Sequence, residues 1–365
     1  MQKIRKTIAV LLAALLLLGS ISLLSGAQEA ENPFGTCGIY ATWKLDLATG
    51  VLTIDGKDSM KNYGPGAEET TPPWSDWAQE IKEVKFGINV YNVGNYAFAG
   101  CLNLVKVSGG HVGNFKSIGI GAFKDCAKLK DIVYLQNITT IGEDAFNGCS
   151  VLENFNLPAG VASIGKNAYR GTNLKVIFIP AGLTELAEGL FSNCAELRAV
   201  YCPNDKQNFA DMNNSSAAST VFAGSDKVKL YGNRDSNALI YGYEKGITAT
   251  QVVTIDPTAL HMINDEVKSV SAIIAPDYPV AGLPVFKAGG FLVIALDANG
   301  KVTARNAGDA TVTASTPDGK FKDVCEITVE NTGERLDLIS RIMAWFQQMM
   351  QMIFELFVPK EDITF

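Results

Sequence analysis

Seven cysteines, two histidines and 38 acidic side chains are the residues of this 365-residue chain that could do chemistry. The histidines, His111 and His261, lie far apart, so a zinc site built on His, a Ser-His-Asp triad or a His proton shuttle has almost no material. No Cys-x-x-Cys pair occurs, which disfavours structural zinc. Neither a Gly-x-Ser-x-Gly elbow nor a Gly-rich phosphate loop is present. Carboxylates remain. Glu68-Glu69 and Asp76 stand near Trp74 and Trp77, and a pair of acids beside aromatics is the chemistry of a glycoside hydrolase. The competing reading, which we favour, makes Pro72-Pro73-Trp74 a packed loop. The expectation is therefore a protein with no catalytic residue, no metal and no cofactor.

The cysteines are better understood from the elements that carry them. Val93-Gly94-Asn95-Tyr96-Ala97-Phe98-Ala99-Gly100-Cys101 returns as Ile118-Gly119-Ile120-Gly121-Ala122-Phe123-Lys124-Asp125-Cys126. It returns again as Ile141-Gly142-Glu143-Asp144-Ala145-Phe146-Asn147-Gly148-Cys149. Ile164-Gly165-Lys166-Asn167-Ala168-Tyr169 follows, with Gly171-Thr172 in place of Gly-Cys, and Leu186 to Cys194 closes the series. The aromatic advances from 98 to 123, 146, 169 and 191, a period of 22 to 25 residues. Such self-similarity is the mark of a stacked array. Cys101, Cys126, Cys149 and Cys194 share one motif position, and Cys202 falls where Leu157 and Ile179 sit. Although disulfides are common in exported proteins, these five read as small buried core residues, reduced and inaccessible. Cys37 and Cys325 lie in different modules.

Between the blocks runs a short β-like segment, clearest as Leu174-Lys175-Val176-Ile177-Phe178-Ile179-Pro180. Its inward positions recur at Ile81, Leu104, Leu129, Leu152, Leu174 and Leu197, and at Val84, Val107, Ile132, Phe155, Ile177 and Val200. One unit cannot bury its apolar side alone, but stacked units share a core. The pattern predicts a curved solenoid with a parallel sheet along one face. Phe98, Phe123, Phe146, Tyr169 and Phe191 would form an aromatic stack, and the glycine at the second motif position would permit a corner that a side chain obstructs.

The unit L-x-x-I-x-I-P…I-G-x-x-A-F-x-x-C closely resembles the BspA-like leucine-rich repeat of bacterial surface proteins. Cys37-Gly38, Trp43-Lys44-Leu45-Asp46, Thr49-Gly50-Val51-Leu52-Thr53-Ile54, Met60, Tyr63 and Pro73-Trp74 look like the cap that precedes such arrays. Read physically, alternation at Trp43, Leu45 and Leu47, a Thr-Gly turn, and alternation back at Leu52 and Ile54 make a β-hairpin. Val221-Phe222-Ala223-Gly224, after a Ser/Asn-rich insertion at 211–219, resembles a degenerate last unit. Val228 to Gly232 and Tyr241-Gly242-Tyr243 look like the closing strand and helix. The likeness covers about residues 37–247. It implies attachment to host matrix proteins, other cells or glycans.

Solenoids bind through rows of outward side chains on the strand face. One row is Lys85, Ser108, Val133, Asn156, Phe178 and Tyr201; its neighbour is Glu83, Lys106, Asp131, Asn154, Val176 and Ala199. Charge grades into Asn and then aromatics, so Asn154, Asn156, Val176, Phe178 and Tyr201 form the candidate ligand-binding face. Exposed aromatics supply large contact area.

From Gln251 the period changes. Val252–Ile255, Val267–Val270, Phe291–Ile294, Lys301–Ala304, Ala310–Ala314 and Cys325–Val329 read as short strands separated by Asp256-Pro257, Asn299-Gly300, Gly308-Asp309 and Asp318-Gly319 turns. Asn299 to Ala304 followed by Gly308 to Thr313 resembles the bacterial immunoglobulin-like domain of group 2. That family's central Trp is missing; the nearest aromatic is Phe286, close to Gly289-Gly290. Asp297-Ala298-Asn299-Gly300 reads as a hairpin turn rather than a calcium loop.

Both ends add function. Lys3, Arg5 and Lys6, an apolar run from Ile8 to Leu18, and Ser25-Gly26-Ala27 read as a secretory signal cleaved after Ala27; the run is short for an anchor. Its removal takes three basic and no acidic residues, so 28 basic face 38 acidic side chains, a net −10. An acidic chain with no basic block is not a nucleic-acid binder. At the other end 332–358 reads as one helix, from an Asn331-Thr332-Gly333-Glu334 capping box to Pro359. Leu336, Ile339, Met343, Phe346, Met350, Ile353 and Phe357 make one apolar stripe, and Leu338, Ile342, Trp345, Met349, Met352 and Leu356 a second. Gln347, Gln348, Gln351 and Glu355 argue against a membrane span. The face is left for a membrane surface or a partner helix, with docking on the preceding domain as the plainer alternative.

The expected fold is thus mainly β, in the order signal peptide 1–27, N-terminal β cap 28–80, leucine-rich repeats with C-terminal cap 81–247, immunoglobulin-like sandwich 250–331, amphipathic helix 332–358 and tail 359–365. The expected role is that of an exported cell-surface or secreted binding protein for an extracellular protein or glycan. A carbohydrate-active enzyme, its accessory module, or a purely structural envelope component are the alternatives.

Overall fold

The computed structural model describes residues 32–109, 115–133, 137–153, 155–210, 220–331 and 341–350. The expected signal segment, Asn154, the insertion at 211–219 and most of the terminal helix and tail lie outside the described residues. The described residues are mainly β. By compactness the chain divides into two units: residues to Arg198 with Phe209–Lys227, and Ala199–Asn208 with Val228 onward. The sequence placed the change of module at 247–250; the compact division falls earlier, and takes the closing strand and helix with the second unit.

In the first unit Ala41–Asp46 pairs antiparallel with Val51–Gly56, setting Trp43 opposite Ile54 and Leu45 opposite Leu52. All four side chains are buried, as their alternation requires. Val51–Gly56 then pairs in parallel with Glu83–Phe86, and the ladder continues through Lys106–Gly109 and Asp131–Val133. A second parallel ladder runs through Asn92–Val93, Ser117–Ile118, Thr140–Ile141 and Ser163–Ile164. Each repeat up to Val133 thus contributes one strand to each ladder.

The unit at 152–157 places no strand in the first ladder among its described residues, and Val176–Phe178 of the following unit belongs to a different sheet. Phe155 occupies the inward site there, buried and 5.5 Å from Phe146 and 5.8 Å from Tyr169, but asparagines flank it on both sides. Asn is a poor strand former.

The interior is a column of rings. Phe98, Phe123, Phe146, Tyr169 and Phe191 stack in order, and Trp74 and Phe222 extend the column at its two ends. Successive centroids lie 5.2 to 5.9 Å apart and successive planes within 16° of parallel. The glycine after each Ile or Val admits the neighbouring backbone: a Cβ added at Gly142 would stand 2.6 Å from the carbonyl carbon of Gly119. Two residues further on the chain turns left-handed in the five units with rings from Phe98 to Phe191, at Tyr96 in the first of them. Asp144 at φ 56° and Asn167 at φ 54° stand where Gly121 and Gly189 stand elsewhere, as Asx side chains tolerate that region best after glycine.

In the second unit Ala199–Tyr201, Lys229–Gly232 and Ala249–Gln251 form a parallel sheet, beside a helix, Asn237–Lys245, that ends at left-handed Gly246. Gly308–Ser315 and Lys322–Glu330 pair over eight positions, flanked by Val285–Gly289 and Ala259–Ile263. Val267–Ser269, Lys301–Ala304 and Ile294–Leu296 form another sheet, and Val253–Asp256 pairs with Ser271–Ile274. The strand expected at Phe291–Ile294 is corrected: Phe291 to Val293 turn outward and the strand begins at Ile294. Gly290 at φ 82° makes that turn, leaving Phe291 and Leu292 exposed. Phe286, the aromatic nearest the place of the missing Trp, is half-buried on an edge strand, while Tyr278 and Phe321 are buried. Asn299-Gly300 does turn a hairpin, with the Asp297 carboxylate accepting from the amides of Asn299 and Lys301 at 2.8 and 2.9 Å.

Candidate binding face

Parallel pairing puts Glu83, Lys106 and Asp131 in one row and Lys85, Ser108 and Val133 in the next. The charged end of this face is paired within itself. Lys106 lies 3.1 Å and Lys85 4.0 Å from the Glu83 carboxylate, and the Ser108 hydroxyl donates to it at 3.1 Å. Exposed pairs of this kind contribute little stability, so their effect is to fix side-chain positions.

Further along, Asn156 is exposed, Val176 is 40% exposed and Phe178 is half-buried, while Ile177 between them points inward. Beside them the Lys175 ammonium donates to Glu153 at 2.5 Å, and Asn173 donates to the same carboxylate at 3.4 Å. The lysine bond holds the Glu153 carboxyl below its ordinary range. Asn156, Val176 and Phe178 therefore offer a small apolar and amide surface bordered by a fixed charge pair. Such a surface can bind by contact.

Tyr201 is a correction. The strand alternation put it in the outward row, yet it is 1% exposed. Its ring stacks on Tyr231 at 4.6 Å and meets Tyr278 edge-on at 5.4 Å. All three residues of Ala199–Tyr201 are buried because this strand is covered on both faces. Ala199, in the neighbouring row, is buried with it.

Of the two tryptophans near these carboxylates, Trp77 is half-buried and Trp74 is not at the surface. Trp74 is fully buried as the first ring of the column, with its indole N–H donating to the Ala97 carbonyl at 2.9 Å. Glu69 is exposed and engaged with Lys61, and Glu68 and Asp76 are exposed. Among the described residues no group of His, Cys, Asp and Glu is arranged to hold a metal.

All seven thiols are free and buried. Cys126, Cys149 and Cys194 donate their S–H to the carbonyl of the preceding unit's aromatic residue, Phe98, Phe123 and Tyr169, at 3.1, 3.2 and 3.2 Å. Ser225 does the same with its hydroxyl to Phe191 at 2.6 Å. Thr172, the exception in the column, donates to Tyr169 in its own unit. Burial pushes Cys101 and Cys202 up to about 12, so neither is a nucleophile at neutral pH.

Sequence reasoning missed a polar cleft of about 480 Å³ in the second unit, lined by Asp205, Asn233, Arg234, Lys322, Asp323 and Glu326 among others. Its inner wall is Asp323, which accepts from Arg234 at 2.6 Å, Gln251 at 2.9 Å and the amides of Ile255 and Val324, both at 2.9 Å. One signal existed. Asp323 is in phase with Phe321, Cys325, Ile327 and Val329 on the inward face of its strand, and a carboxylate in that register needs partners.

Comparison with known proteins bears on the first unit. Residues 76–198 match the BspA type leucine rich repeat region in six copies. The rings from Phe98 to Phe191 thus lie in a BspA-type leucine-rich repeat region. Solved leucine-rich repeat proteins from Eubacterium ventriosum and Bacteroides ovatus are similar at 24% and 22% identity, with TM-scores of 0.43 and 0.36. The matches cover 49% and 53% of this chain, and 46% and 45% of theirs. The pneumococcal vaccine antigen PcpA is 20% identical over 54% of this chain and 44% of its own, with a TM-score of 0.39. This chain thus spans less than half the length of each of these three proteins. No curated protein matches the sequence. A repeat region of this type suggests a protein-binding or surface role, and no helix among the described residues is long and apolar enough to cross a membrane.

Proposed function

We propose that the chain is an exported, non-enzymatic binding protein of the cell surface. Its BspA-type repeats form a solenoid whose strand face, at Asn156, Val176 and Phe178, takes an extracellular protein or glycan. The observation that carries this reading is the contrast along that face. Its N-terminal end is closed by ion pairs centred on Glu83, whereas Val176 remains 40% exposed and Asn156 is exposed. Exposed apolar area next to fixed polar groups is the composition of an interface. The non-enzymatic part rests on the burial of Trp74 and on the unreactive thiols. The sandwich-like second unit carries the helix at 341–350, where Ile342, Met343, Trp345, Phe346 and Met350 are each about half exposed or more. That face holds the protein to a membrane surface or a partner helix.

The test is a screen of residues 28–365 on arrays of matrix proteins and glycans, repeated with Val176→Asp and Phe178→Ala. A ligand whose binding falls at least ~10-fold in either variant, with melting temperature kept, supports the reading. Absence of any ligand, or binding indifferent to both changes, overturns it.

A further inference from the structure

Tyr201 and Tyr231 stand side by side on adjacent parallel strands, where an open repeat array would present them outward. They are 1% and 3% exposed. What covers them is a turn from 46 or more residues further along the chain. The Tyr201 hydroxyl donates to the Asp277 carbonyl at 2.7 Å, and the Tyr231 hydroxyl to the Asp277 carboxylate at 3.1 Å. Tyr278 then packs edge-on against Tyr201, and Phe321 meets both rings at 6.2 and 5.6 Å. Tyr278 is itself anchored, donating to Asp318 at 2.8 Å, while Thr316 donates to the same carboxylate at 2.6 Å. Three buried tyrosine rings and Phe321, from distant segments, therefore share one cluster, tied at its surface to Asp277 and Asp318.

A second tie follows directly after Phe321 in the chain. Asp323 accepts from Arg234 and Gln251, and the Lys322 amide donates to the Asn233 side chain at 2.9 Å. The backbone is continuous as well: the Val252 amide donates to Gly232 and the Ala275 amide to Val252, at 2.9 and 2.8 Å. Separating the two parts would hydrate the rings and strand several buried polar groups together, and stranded buried groups are what make an opening costly.

We propose that the Tyr201–Tyr231 surface is a docking site for the chain's own Asp277–Tyr278 turn. The closing strands of the repeat cap and the following antiparallel sheets then open as one cooperative unit, and the second module is not a free spacer. This goes beyond the binding role proposed above and holds whatever that face binds.

Hydrogen exchange of the full-length protein decides it. In the native chain, amides of Ala199–Tyr201 and Lys229–Gly232 should share one opening reaction with those of Gly308–Ser315 and Lys322–Glu330 as denaturant is raised. Tyr278→Ala should speed exchange in both sets together by ~10-fold or more, leaving Ser117–Ile118 and Thr140–Ile141 unchanged. Should that variant fail to fold, Tyr231→Phe removes one hydroxyl and keeps the ring; it should speed both sets equally by about 3-fold. Acceleration confined to the antiparallel sheets, or two separate openings in the native chain, overturns the proposal.

Discussion

The repeats of the first unit and the sheets of the second use the same materials, buried aromatics and strand pairs, in opposite ways. In the repeats each contact is made again one unit later: ring on ring from Trp74 to Phe222, thiol or hydroxyl to the preceding carbonyl. In the second unit each contact is made once, and its partners are far apart in sequence, as with Asp323 and Arg234 or Tyr231 and Asp277. The difference teaches where information sits. A repeated contact is written into the sequence several times over, whereas a unique one is written once and has no echo.

The sharpest way to break the contrast is to remove one ring of the column. Phe146→Ala should destabilise the first unit by about 3–5 kcal/mol, the cost of a fully buried aromatic, and the loss should be felt by the units on either side because stacked repeats share interfaces. Phe286→Ala, on the edge strand of the second unit, is the control for the same truncation. Equal melting shifts for the two variants would show that the column is not where the stability lies.

A unique contact should fail differently. Asp323→Ala leaves the Arg234 guanidinium and three further donors without their acceptor. About 2–3 kcal/mol is expected, moderated because Arg234 remains partly exposed. Chemical denaturation followed by intrinsic fluorescence measures it, and a change under about 0.5 kcal/mol would remove this network from the account of the second unit.

These two cases also mark how far the sequence could be read. Register in the ladders was legible: the row of Glu83, Lys106 and Asp131 follows from aligning the repeats, and the pairing agrees residue for residue. Trp74 as the first ring was not, because it comes from a loop that shares no motif with the units it stacks upon. In the candidate face the alternation of Val176, Ile177 and Phe178 was legible, and Tyr201 was misread. Alternation says which way a side chain points from its own strand, but it does not know that a turn 76 residues later will cover it. The strands at Ala259–Ile263, Ser271–Ile274 and Val285–Gly289 escaped notice for a different reason. They lie among exposed residues on sheet edges, where the apolar alternation is weak.

The smallest expected effect tests the repeated hydrogen bond. Cys149→Ser keeps a donor in the place where Ser225 already serves and should cost no more than about 0.5 kcal/mol, whereas Cys149→Ala should cost about 1 kcal/mol by leaving the Phe123 carbonyl short of a partner. Thiol labelling at pH 8 gives an independent reading. With Cys37, Cys101 and Cys202 pushed up to about 12 by burial, no thiol should react before unfolding. Rapid native labelling, or a disulfide among the five repeat cysteines, would undo the register argument.

The backward-facing hydrogen bond has one more consequence. Because Cys126, Cys149, Cys194 and Ser225 each address the carbonyl of an earlier ring, a unit of this kind carries its own donor and leaves an acceptor for the unit that follows. Excising residues 124–146 would set Asn147-Gly148-Cys149 directly after Phe123, where Lys124-Asp125-Cys126 stood, and Cys149 would find Phe98 as Cys126 does now. The array can therefore lengthen or shorten by whole Cys-bearing units at the level of the gene, such a junction resealing with the same bond. The second unit has no such freedom, since none of its segments can be copied or deleted without orphaning a distant partner.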